Sequence, residues 1–112
     1  TGPGSKQKIG AISKTQGIHL KIATVPPHPD GFIPFARVVH AKYMVVDDHI
    51  AWVGTSNFSG DYFHQSRNVG VMIEGAHIAL QLTKIFRQIW TSSYAHRYEV
   101  SQHASVKPRV AK

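Results

Sequence analysis

The chain has 112 residues, enough for one domain of ordinary size or for part of one. It contains no cysteine, which excludes a disulfide framework and a thiolate metal site, and no run of the ~20 apolar residues that a membrane span needs. Thirteen Lys and Arg against six Asp and Glu give a net charge of +7, to which eight His can add below pH ~6.5. Such a balance suits a phosphate-rich partner, nucleic acid or anionic lipid. It equally fits a basic tail and scattered surface lysines, because Lys6, Lys8, Lys14, Lys21, Lys42, Lys84, Lys107 and Lys112 form no dense run.

The opening Thr1-Gly2-Pro3-Gly4-Ser5 reads as the remnant of an expression tag, so the domain is expected over residues 6–100. Residues 18–25 alternate and stop at Pro26-Pro27, which predicts a strand; residues 26–35, with four prolines and Gly31, predict a loop. Residues 37–40 and 42–46 are β-branched and aromatic, Asp47-Asp48-His49 marks a turn, and Ile50 to Val53 predicts a strand that ends at Gly54. A further strand is expected over 66–73, where Val69, Val71 and Ile73 share a face. From 76 to 93 the period lengthens: Ile78, Leu82, Ile85, Phe86, Ile89 and Trp90 form one stripe of a helix that should pack on the sheet. Residues 101–112 are polar and basic without periodicity and are expected to be a disordered tail.

The chemistry concentrates in His40-Ala41-Lys42 through Asp47 and in Gly54-Thr55-Ser56-Asn57. On a strand, His40 and Lys42 would face the same way, and each disfavours the other's charge, so the pair calls for a shared anion. A phosphate would serve: Lys42 neutralises its oxygens while a neutral His40 attacks phosphorus. Gly54 permits close backbone approach, and Ser56 and Asn57 offer hydroxyl and amide groups to phosphate oxygens. A single histidine is ordinarily a packing or surface residue; five residue types at fixed offsets in a strand–turn–strand setting are hard to obtain by accident.

The pattern H-x-K-x₄-D-x₆-G-x-x-N resembles the signature of the phospholipase D superfamily. The stretches 32–45 and 54–63, with the closing Ile89-Trp90-Thr91-Ser92-Ser93-Tyr94, are most similar to the C-terminal half of its lysosomal 5′-exonuclease branch and more distantly to poxvirus envelope phospholipase-like proteins. The resemblance covers residues 18–98. It implies an α/β fold, a mixed sheet with a C-terminal packing helix, as the C-terminal half of a two-motif domain. It also implies a metal-independent, two-step displacement: one motif's His forms a phosphohistidine, while the other's His protonates the leaving oxygen and then activates water. His40, Lys42 and Asn57 would meet the phosphate, Ser56 and Gly54 would line it, and Asp47 would support the catalytic pair. Phe58, Tyr62 and Phe63 would line a substrate groove, with Trp52, Phe86 and Trp90 in the core. Single-stranded nucleic acid is the expected substrate class, with phospholipid as the alternative, and an endolysosomal or other lumenal compartment is suggested by resemblance alone.

Two departures stand out. The chain carries one motif where the family's site needs two, so the second is expected from a missing N-terminal half or from a homodimer. His96 and His103 have no accompanying lysine or G-x-x-N and do not replace it. Many members also place a Glu about eleven residues after the motif Asn to orient a histidine. Asn68 stands there in this chain, and Glu74 falls too far along. With only residues 6–39 before His40, the chain is expected to be the C-terminal piece of a larger enzyme whose sheet has an exposed edge. A contrasting reading makes it a non-catalytic phosphate- or nucleic-acid-binding module, or an inactive fragment. No metal is expected: Asp47-Asp48-His49 reads as a turn, and zinc-like ligand pairs are missing from the sequence. Neither Ser56 nor Ser66 sits in a G-x-S-x-G elbow, which argues against a serine nucleophile.

Overall fold

A computed structural model describes residues 4–34 and 36–98. The expected tail at 101–112, His103 and Phe35 lie outside the described residues. The order of elements is α1 (Ser5–Ser13), β1 (Lys21–Ala23), β2 (Tyr43–Val46), β3 (Ile50–Gly54), α2 (Gly60–His64), β4 (Gly70–Glu74), α3 (Ala76–Trp90) and β5 (Ala95–Arg97). β2, β3 and β4 form one antiparallel sheet in sequence order, and β1 pairs with β5 in a second. The result is an α/β architecture in which α3 packs on both sheets. Every strand pairing among the described residues is antiparallel.

Three elements went unread in the sequence. α1 starts at Ser5, inside the segment assigned to a tag, and has too little apolar patterning to signal itself. α2 is a five-residue turn of helix after the Gly54–Asn57 loop. β5 is short and polar, and exists because β1 is there to pair with it: Ile22 sits opposite His96, and the ladder is prolonged by Thr24 N–H donating to the Tyr94 carbonyl at 2.9 Å.

The register of the larger sheet decides what faces what. Tyr43 pairs with Val53 and Val45 with Ala51, and Ala51 pairs onward with Ile73; these side chains share the face that α3 covers. Ala51 and Ala79 are fully buried there, where small residues let helix and sheet approach. Met44, Trp52 and Met72 share the opposite face. Trp52, expected in the core, is therefore only half-buried, because no helix layer covers that side.

The helical stripe forms as expected, yet its rings are not enclosed. Phe86 is 48% exposed and stacks on half-buried Trp90 with centroids 5.5 Å apart. The reason lies beneath them. The end of α3 bridges the gap between the sheets, where Phe86, Ile89 and Trp90 share an open hollow with Ala23, Ala41 and Tyr43. Lys21 fastens this end: its ammonium donates to the Trp90 carbonyl at 2.6 Å and lies 4.8 Å from the Trp90 ring centroid. That placement satisfies an orphan helix-end carbonyl and puts a cation at the negative end of the dipole.

Candidate phosphate site at the open end of the hairpin

The β2–β3 hairpin has a closed end and an open end. At the closed end, Asp47 and Asp48 have φ of 53° and 51°, and His49 N–H donates to the Val46 carbonyl at 3.1 Å. Two successive positive φ values match the twist of the flanking strands, and Asp tolerates them better than most residues. The Thr83 hydroxyl donates to Asp48 Oδ1 at 2.8 Å, fixing the turn to α3. Asp47 is exposed. At ~3.3 Å per residue it lies roughly 16 Å along the strand from Lys42, too far to touch a group held there. The structure thus separates Asp47 from Lys42 along the hairpin, so the support expected of it would act through the turn and the strand register rather than by contact.

The open end joins Lys42 to Gly54 and to the His40 carbonyl. Gly54 N–H donates to the Lys42 carbonyl at 3.1 Å, so pairing runs one residue past β2. Continuing the register that sets Tyr43 against Val53 puts Lys42 opposite Gly54. His40 itself is not on a strand, contrary to expectation. Beyond Gly54 the partner chain turns toward β4, with Thr55 N–H donating to the Val69 carbonyl at 3.0 Å, and leaves residues 40–41 no ladder to join. His40 and Asn57 are exposed, Lys42 is half-buried and Ser56 is 6% exposed. The Lys42 ammonium folds back to donate to the His40 carbonyl at 2.9 Å, which keeps its charge beside the histidine.

Two features of this end were not read from the sequence. Gly54 and Gly70 face each other across β3 and β4, and the Trp52 indole covers both. A Cβ on Gly54 would lie 2.5 Å from the indole carbon Cζ2, and one on Gly70 would lie 2.7 Å from Nε1. Gly54 therefore makes room for a ring as well as opening the backbone. The pair of glycines was visible in the sequence, but only the register shows that they flank one tryptophan.

The second feature is Asn68, singled out above only as a departure from the family's Glu. The Thr55 hydroxyl donates to Asn68 Oδ1 at 3.0 Å, and Asn68 Nδ2 donates to the Tyr62 carbonyl at 2.7 Å. Val69 N–H donates to Thr55 Oγ1 at 3.1 Å. Asn68 thus ties the Gly54–Asn57 loop to α2, a task that needs one donor and one acceptor and that a carboxylate could not perform in full. Tyr62 is half-buried in this brace, whereas Phe58 and Phe63 project outward at 67% and 57% exposure. Burial raises the pKa of the Tyr43 phenol above its ordinary value. Among the described residues no cluster of three His, Asp or Glu could hold a metal ion, and no helix is long and apolar enough to cross a membrane.

Residues 4–90 match the family described as cardiolipin synthase, PLD-like domain. The chain is 44% identical over 78 residues to a probable phospholipase D of Caenorhabditis elegans, a span that is 70% of this chain and 14% of that protein. It is 34% identical over 99 residues to the 5′-3′ exonuclease PLD4 of Homo sapiens, covering 81% of this chain and 19% of the relative. It is also 36% identical over 96 residues to the virion nicking-joining enzyme of vaccinia virus, covering 81% and 22%. The chain therefore spans 14% to 22% of the length of these relatives. With one H-x-K-x₄-D sequence at a β-hairpin and a family match over most of its length, the chain belongs to the phospholipase D-like family, whose named relatives include phospholipases and nucleases.

Proposed function

We propose that the protein containing this chain hydrolyses phosphodiester bonds, preferring single-stranded nucleic acid, and that this chain supplies one of two H-x-K-x₄-D motifs. The observation that supports the proposal is that Lys42, whose ammonium lies on the His40 carbonyl, is bonded across the hairpin to Gly54, from which the chain runs directly on to Ser56 and Asn57. A phosphate held there would meet an ammonium, a hydroxyl and an amide at once. Charge-assisted bonds to its oxygens are the strong ones, and they neutralise charge as the phosphorus becomes five-coordinate.

The chemistry balances with two histidines. An imidazole nitrogen of one attacks phosphorus and forms an N–P bond as the P–O bond to the leaving group breaks; the imidazolium of the other gives that oxygen its proton. Water then attacks the phosphohistidine, losing a proton to the second, now neutral, imidazole. The N–P bond breaks and both histidines return to their starting states. His40 takes one of these two roles, and the opposite motif, on another part of the protein or on a second copy, sets which. Preference for nucleic acid over lipid draws on the +7 charge and on the exonuclease and nicking-joining relatives.

The test is turnover of an oligonucleotide and of a phospholipid by the full-length protein, with and without His40→Ala, in excess EDTA. Loss of turnover with an unchanged melting profile is expected. Undiminished cleavage by His40→Ala would remove His40 from the chemistry. The isolated chain, with a single motif, is expected to bind phosphate without turnover unless it dimerises, which light scattering over a concentration series measures.

A further inference from the structure

We infer that Trp52, Phe58 and Phe63 form a stacking ladder for the unpaired bases of a single strand whose phosphate lies at Lys42, an inference that takes its substrate from the phosphodiesterase reading above. The three rings lie in series. Trp52 and Phe58 have centroids 5.5 Å apart and planes tilted by 51°; Phe58 and Phe63 are 6.2 Å apart with the same tilt. They run from the middle of β3, past the Gly54–Asn57 loop, to α2, so the ladder brackets the loop that carries Ser56 and Asn57.

Its position relative to the phosphate site follows from the register. Trp52 is two residues from Gly54 on β3, and Gly54 lies opposite Lys42, so the indole and the lysine occupy the same side of the sheet. That is the side α3 does not cover. Gly54 and Gly70 let the indole lie down on the strands, and Met44 and Met72 flank it across the sheet. Within this chain Phe58 and Phe63 keep 67% and 57% of their surface exposed, beyond their contacts with each other and with Trp52. Asn68 holds the Tyr62 carbonyl and with it the helix that presents Phe63.

Tilted aromatic faces on the same side of the sheet as a lysine suit a strand in which charged phosphates alternate with flat bases, and each base has a π-face to offer whatever its sequence. An acyl chain is better served by an enclosed apolar cavity. Net positive charge favours a polyanion over a neutral apolar partner.

Equilibrium binding separates the ladder from the chemistry. The full-length protein carrying His40→Asn, which holds substrate without turning it over, is titrated against a fluorescent single-stranded oligonucleotide and against an abasic strand of the same length and charge. The base-bearing strand should bind at least ~10-fold more tightly, because stacking contributes per base. Phe58→Ala and Phe63→Ala should each pull that ratio toward 1, and Phe58→Tyr should restore it. A ratio unmoved by either alanine overturns the ladder. So does a result in which the alanines abolish binding to phosphatidylglycerol vesicles or self-association while base discrimination persists; the rings would then be a lipid or protein contact. Cleavage is scored separately on the wild-type protein, so absence of hydrolysis would count against the phosphodiesterase reading without altering the measured ratio.

Discussion

At the closed end of the β2–β3 hairpin, Asp47 and Asp48 sit in a left-handed turn pinned to α3 by Thr83. At the open end, His40, Ser56 and Asn57 lie where the strands part, and Lys42 bends back on its own chain. A single sequence motif, H-x-K-x₄-D, spans both. Its histidine and lysine lie at the open end, where we propose the phosphate binds, while its aspartate belongs to a hairpin turn. A β-hairpin couples the two ends without contact, because a fixed turn fixes the register, and the register decides that Lys42 meets Gly54. Spacing within a motif can therefore encode strand length as well as proximity.

This contrast can be broken at either end. The largest effect is expected from His40→Ala, which should lower turnover of the full-length protein by ~10⁴-fold or more if the histidine is the nucleophile or the proton donor. Being exposed, the same residue should leave stability within about 0.5 kcal/mol, read from denaturant midpoints. Gly54→Ala should cost about 1–3 kcal/mol, since the new methyl collides with the Trp52 ring; Gly54→Ala combined with Trp52→Leu should recover part of that loss, which a double-mutant cycle would quantify.

Smaller effects sharpen the comparison. Asn68→Ala removes one bond to the loop and one to α2, for an expected loss of roughly 1–2 kcal/mol by thermal or denaturant unfolding. At the closed end, Asp47→Gly should stabilise by up to ~1 kcal/mol by relieving positive φ, whereas Asp47→Val should destabilise, and turnover should follow the folded fraction in both. A defect in turnover from Asp47→Gly with full folding would instead give the aspartate a part in the chemistry. The smallest expected effect is on the alkaline limb. Because burial raises the Tyr43 pKa in the folded state, its contribution to stability is fully present below the unfolded value near ~10. As pH rises above that value the unfolded chain ionises first, so stability falls, and Tyr43→Phe should flatten the decline.

Much of this was legible in the sequence because local periodicity and turn chemistry suffice for it. The α3 stripe, the turn at 47–49, strands near 21–23, 43–46, 50–54 and 70–74, and the segments carrying His40, Lys42 and Asn57 all follow from short-range pattern. β5 did not, because a three-residue segment with two polar side chains, Ala95-His96-Arg97, becomes a strand only when β1 lies alongside. Trp52 was misplaced because a strand aromatic on an alternating pattern looks alike on either face, and only the helix position tells which face is covered. Asn68 looked like a missing carboxylate until its amide was found bridging Thr55 and Tyr62, residues thirteen and six positions away.

The amino-acid sequence by itself determined the family and the motif, and with them the residue types proposed to meet a phosphate, since these depend on side-chain chemistry at fixed offsets. Tertiary structure alone decided that Asp47 stands at the opposite end of the hairpin from Lys42, that Gly54 and Gly70 seat a tryptophan and that Trp52, Phe58 and Phe63 lie in series. Each of those depends on which strands pair and in what register, and pairing joins residues far apart in the chain, where local preference carries no information.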